Sequence, residues 1–163
     1  MNGFQFNGLG NDGSQGLTPY AVAFLRISLG IMFVAHSVIL KYFVYTLAGT
    51  AGYFESIGLP GFLAYVVFWM EFIGGLLLIL GIGSRWVSLA LLPILVGAFW
   101  AHAGFGWVFS NENGGWEYPL YLCILAVVQI MLGDGALSLG RAGFLFGSGE
   151  SKDGEDFRGV LTQ

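Results

Sequence analysis

Charge is what this sequence has least of. Of its 163 residues, 10% are charged, against about 25% in a soluble domain. Hydrophobic residues make up 56% and the mean hydropathy is +0.75. That balance excludes a soluble globular domain and points to an integral membrane protein whose length suits one small helical bundle. Basic residues are scarcer than acidic ones and the net charge is -4, which argues against nucleic-acid binding. The single cysteine, Cys123, lies in an apolar run and can form no intrachain disulfide. The first sixteen residues lack a basic region followed by an apolar one, so no cleavable signal peptide is expected.

The chain is predicted to be an all-α membrane protein, an antiparallel bundle of four transmembrane helices. Residues 1–16, rich in Gly and Asn, read as a flexible N-terminal tail. Their G-x-G-x-x-G string from Gly8 to Gly13 has no strand before it and reads as chance. Residues 17–141 form the membrane domain, and residues 142–163 an acidic, disordered C-terminal tail. The first span is expected from Thr18, as its cap, to Tyr45, with Pro19 at its first position. The segment Gly49 to Gly61 is too polar to span and predicts a short interfacial helix around Tyr53–Ile57. The second span is Phe62 to Gly81, the third about Trp86 to Ala103 with Pro93 inside it, and the fourth about Pro119 to Leu137.

Orientation follows from Arg85, Arg141, Lys152 and Arg158. They gather on one side and place both termini in the cytoplasm. Trp86 marks that interface, and Trp107 and Trp116 the outer one.

Glu71, near the centre of the second span, is the costliest residue in the chain. A carboxylate at that depth costs roughly 2.5–3.5 kcal/mol on insertion scales and needs a partner, a proton or a water-filled cavity. Counting depth at about 1.5 Å per residue, Arg26 and Glu71 differ by only ~7 Å, so Arg26 is the expected partner. His36 and His102 fall at matched depth, roughly 24 Å from the cytoplasmic side. Glu117 begins the fourth helix near that level. Arg26 and Glu71 then form the floor of a polar chamber, with His36, His102 and Glu117 as its wall. Lys41 reads as a residue that snorkels to the interface. Plainer readings stand beside these. Arg26 with Glu71 can simply fix helix register, Glu117 can complement a helix dipole, and Cys123 is a packing residue.

Two histidines and two carboxylates on apolar, aromatic walls (Phe33, Phe68, Phe72, Phe99, Tyr121) suit a quinone site, where acid/base groups serve the ring oxygens. Glu71, His102 and His36 are the catalytic candidates. Arg26, Glu71, His102 and Glu117 are the candidates for cofactor binding. A metal held by imidazole, or a haem between the two histidines, are the alternatives. No H-x-x-x-H or C-x-x-C spacing favours a metal.

Several motifs then resemble the DoxX/DoxD-like family of small membrane proteins. They are Arg26 followed by GIMFVAHS, then Lys41, YFESIGLPG, MEFIGGLLLILGIGSRW, FWAH, WEYPLY and LGDGALSLGR. The match runs over roughly residues 20–141, in the family's order. The family usually has His-Gly where this chain has His36-Ser37, and a Ser-Leu-Asp ending where it has Ser138-Leu139-Gly140. The resemblance implies a four-helix protein of a bacterial or archaeal cytoplasmic (inner) membrane, linked to quinone-dependent oxidoreductases or redox-stress responses. It implies redox proteins as partners, with a homo-oligomer as a further option. A non-catalytic scaffold that recruits partner proteins is the reading from another class.

Overall fold

A computed structural model describes residues 14–140. The G-x-G-x-x-G string, Arg141 and the expected C-terminal tail lie outside the described residues. Every regular element among the described residues is helical. Helix α1 (Ser14–Val34) runs without a break into a π-helical stretch, Ala35–Val44. Helices α2 (Leu47–Ser56), α3 (Phe62–Leu80), α4 (Ser84–His102) and α5 (Glu117–Leu132) follow. A short 3₁₀ turn, Ala103–Phe105, extends α4 into the loop before α5.

Three of these helices are long and apolar enough to cross a membrane: Gly16–Val44, Phe62–Leu80 and Ser84–Phe105. The fourth expected span is shorter than the sequence suggests. It is an apolar helix of 16 residues, about 24 Å long, below the roughly 20 residues a hydrocarbon core asks for. It stops at Leu132 because Gly133 and Gly135 take positive φ (82° and 67°) and turn the chain back beneath the bundle.

The first helix begins by Ser14, so Thr18 is not its cap and Pro19 lies inside it. The interfacial helix is longer than expected. It starts at Leu47, where the Thr46 Oγ1 accepts from the Gly49 N–H (3.1 Å). The second span is realised as α3, closed by Gly81 in the left-handed conformation (φ 71°). The third span begins at Ser84 rather than at Trp86.

Two adjacent glycines on α3 set the packing. Gly75 faces α1 at Gly30, where a Cβ on either residue would come within 2.7–2.8 Å of the other's carbonyl oxygen. Gly74 faces α4, against Leu91. Small residues let helices approach closely in a bilayer, where dispersion rather than water release drives association. Helix α3 therefore lies between α1 and α4, and α5 packs chiefly on α4. The core is Leu29, Phe33, Leu78, Leu91, Leu95 and Leu122, with Ala126.

Candidate functional site: a buried lysine–glutamate pair

Glu71 is buried on the inward face of α3, with Phe68, Gly74, Gly75 and Leu78. Its partner is Lys41, not Arg26. The Lys41 Nζ stands 2.6 Å from Glu71 Oε2, and only 16% of the lysine side chain is exposed. The expectation that Lys41 snorkels outward is thus corrected. The cause is the π-helical stretch. Hydrogen bonds from i to i+5 widen the turn and shorten the rise. Lys41 therefore sits deeper, and on a different face, than an α-helical count gives.

The switch in ladder falls at His36 and Ser37. There His36 Nδ1 is 3.0 Å from the Met32 carbonyl oxygen. The Ser37 hydroxyl donates to the carbonyls of Phe33 (3.1 Å) and Val34 (3.0 Å). A change of register leaves carbonyls short of backbone partners, and these two side chains supply donors in their place. With Nδ1 donating to a carbonyl, the neutral imidazole keeps Nε2 as an acceptor. His36 lies close enough to Glu71 to act on it electrostatically. On its other side it stacks on Tyr118 of α5, with ring centroids 6.1 Å apart and planes 17° apart. An aromatic row of Tyr42, Phe68 and Phe72 flanks the pair, with Phe68 and Phe72 stacked at 6.3 Å. Lys41 and Glu71 thus form an ion pair, with the stacked rings of His36 and Tyr118 nearby.

Arg26 is elsewhere, at the Gly81 end, and is fully buried. Its Nη1 donates to the Asp134 carbonyl (2.7 Å) and its Nη2 to the Leu137 carbonyl (2.8 Å). The segment it holds is fastened elsewhere as well. Asp134 Oδ1 accepts from the Ser84 N–H at the start of α4 (2.8 Å). The Ser138 hydroxyl donates to the Gly81 carbonyl (3.1 Å). The Ala136 N–H donates to the Pro19 carbonyl (2.8 Å). Arg26 therefore anchors the segment after α5, which itself ties to α1, to the end of α3 and to the start of α4, and it is not the floor of a chamber beneath Glu71. Asp134 was missed by sequence reasoning. An acid between two glycines just past an apolar helix was the available signal.

The other two candidates belong to the loop end. His102 Nδ1 is 3.0 Å from the Asn113 carbonyl oxygen, and its ring meets Phe105 edge-on. It fastens the loop and is not joined to the lysine–glutamate pair by any contact among the described residues. Glu117 opens α5, and its Oε2 accepts a long bond from the Phe109 N–H (3.4 Å). It lines a groove of about 320 Å³ between the loop and α5, which Tyr118 shares. The five expected site residues thus fall into three places: Glu71 and His36 together, Arg26 at the Gly81 end, and His102 and Glu117 at the loop. Among the described residues no three His, Cys, Asp or Glu side chains converge as metal ligands. The two histidines are each held by their own local carbonyl.

Comparison with known proteins gives consistent matches. The family model described as DoxX matches residues 21–104, a stretch that contains Arg26, His36, Lys41, Glu71 and His102 and ends before Glu117. A Bacillus subtilis (strain 168) protein named "Putative oxidoreductase CatD" is 42% identical over 74 residues, which is 45% of this chain and 53% of that protein. The chain thus spans about half the length of that relative. An uncharacterised Haemophilus influenzae protein is 32% identical over 123 residues, 74% of this chain and 89% of its own length. No solved structure matches. The motifs, the apolar helices and these matches agree: the chain is a multi-pass membrane protein and belongs to the DoxX family.

Proposed function

We propose that this chain is the proton-handling membrane component of a quinone-linked oxidoreductase, with Lys41, Glu71 and His36 as its working groups. The observation that carries the reading is the buried Lys41–Glu71 pair at 2.6 Å. In a low-dielectric interior, desolvation largely offsets the attraction of such a pair. The pair holds a transferable proton, and a nearby redox event changes the electrostatic balance that places it. Ionisable groups inside a bilayer mark ion and proton paths by default. His36 supplies a third side chain able to accept or donate a hydrogen bond. The name of the Bacillus relative supports an oxidoreductase role.

In this reading the Gly81 end, which carries Arg85, faces the cytoplasm, and the electron donor is a partner redox protein. The test uses purified protein and membranes. A short-chain quinone raises the thermal unfolding temperature of the wild type. Membranes carrying Glu71→Gln or Lys41→Met lose the quinone reduction that wild-type membranes add over a strain without the protein. Wild-type reduction in the Glu71→Gln membranes, with no quinone effect on unfolding, overturns the proposal.

A second reading is a scaffold that recruits partner proteins, favoured by the exposed Trp107, Val108 and Phe109 on the loop. It expects the Lys41→Met/Glu71→Met protein to keep partner binding intact.

A further inference from the structure

The groove at the loop end is lined mainly by aromatic and apolar side chains and shares Tyr118 with the ring stack on His36. One wall is the loop, through Trp107 and Phe109. The other is α5, through Tyr118, Tyr121 and Ile124, with Glu117 at its start. Its volume, about 320 Å³, falls at the small end of the roughly 300–1,000 Å³ of small-molecule sites. Helix α5 buries Leu122, Ala126 and Gln129 against the bundle. Tyr121 (58% exposed) and Ile124 (52%) stand on the face turned away from it. The groove is therefore open on the side where acyl chains lie. Tyr118, one of its lining residues, is the residue stacked on His36.

Three features select the occupant. Aromatic side chains on two facing walls suit a planar ring, which stacks or meets them edge-on. The one carboxylate in the lining, Glu117, only accepts hydrogen bonds when ionised. Its Oε2 holds a single long bond from Phe109. The opening toward the bilayer suits an apolar tail. A ring that carries hydroxyl donors meets all three, whereas a ring whose oxygens only accept sets them against the carboxylate. The geometry points to this groove as the binding site of the reduced form of a lipid-soluble quinone. Its ring lies between Trp107/Phe109 and Tyr118/Tyr121, and one hydroxyl donates to Glu117. The choice of substrate class rests on the function proposed above. The place, the redox form preferred and the residues that recognise it are additional to that function.

The test is calorimetric titration of the full chain in nanodiscs, under argon, with a short-chain benzoquinol and then with the matching benzoquinone. Saturable binding is expected, about tenfold tighter for the quinol, the size of one hydrogen bond to a charged acceptor. Glu117→Ala lowers quinol affinity by about tenfold. Ile124→Trp, a change on an exposed position that leaves the bundle core intact, fills the groove and abolishes binding. Glu71→Gln leaves quinol affinity within about twofold, because Glu71 does not line the groove. Binding that is equal for both redox forms, or that ignores both Glu117→Ala and Ile124→Trp, overturns the groove and leaves the role of the lysine–glutamate pair standing. Absence of binding by either form in the wild type overturns both.

Discussion

Arg26 and Lys41 lie on the same continuous helix, and both bury a cation, yet they do opposite kinds of work. Arg26 donates from its two terminal nitrogens to the main-chain carbonyls of Asp134 and Leu137. Those acceptors cannot take up or release a proton, so the guanidinium acts as a fixed cross-link between helix ends. Lys41 meets a carboxylate on a neighbouring helix, and both partners of that pair can change protonation state. Burial of a charge therefore does not by itself identify a functional group; the chemistry of its partner does.

The sharpest way to break the comparison is at Arg26. Arg26→Leu leaves the part-buried carbonyls of Asp134 and Leu137 without these donors and frees the 133–140 segment. It should cost about 4 kcal/mol, read as a lower SDS midpoint for unfolding in mixed micelles. A smaller loss than that of Lys41→Met would reverse the assignment of which cation is structural.

Lys41→Met strands the Glu71 carboxylate and is expected to cost about 3 kcal/mol. The double change Lys41→Met/Glu71→Met should return to within about 1 kcal/mol of the wild type, because removing both charges also removes their desolvation cost. A double-mutant cycle measures the difference. A double variant as unstable as the single one would show that the pair itself holds the fold.

Gly75→Ala sharpens the comparison from outside both sites. Its new Cβ meets the Gly30 carbonyl oxygen at 2.8 Å and pushes α1 from α3. About 2 kcal/mol of destabilisation is expected, together with weaker coupling in the Lys41–Glu71 cycle, since the two residues sit on those helices. Unchanged coupling would mean that the helix crossing does not set the pair's geometry. The smallest effect is at Ser138→Ala, which removes one hydrogen bond to the Gly81 carbonyl. About 1 kcal/mol is expected, with faster amide exchange at Leu139 and Gly140 and none at the loop end. Exchange that quickens near Glu71 as well would join the two regions into one unit.

Much of the architecture was legible from local signals. A run of twenty apolar residues broken only by Glu71 predicts α3 almost to the residue, because span length is a matter of bilayer thickness and rise per residue. The paired glycines at 74 and 75 predict close helix neighbours. Glu71 is legible as a costly carboxylate for the same local reason. Its partner was not. The sequence AHSVILKYFV carries no glycine or proline to announce a π-helical stretch, and a constant 1.5 Å per residue placed Lys41 too far out and Arg26 too near. The end of α5 was misjudged for a related reason. The expected span was carried on to Leu137 through Gly133, Asp134 and Gly135, whereas the two turn glycines end the helix at Leu132 and Arg26 anchors the segment beyond it.

The sequence by itself determined that this chain lives in a bilayer, where its main helices run, and that one glutamate must find a partner. Those are consequences of composition and of transfer free energy, which each residue carries with it. Tertiary structure alone decided which cation meets that glutamate, which arginine instead binds carbonyls, and which histidine stands beside the pair. The reason is angular. A side chain's partner depends on the phase of its helix and on the angle at which neighbouring helices cross, and a local widening of ten residues changes both.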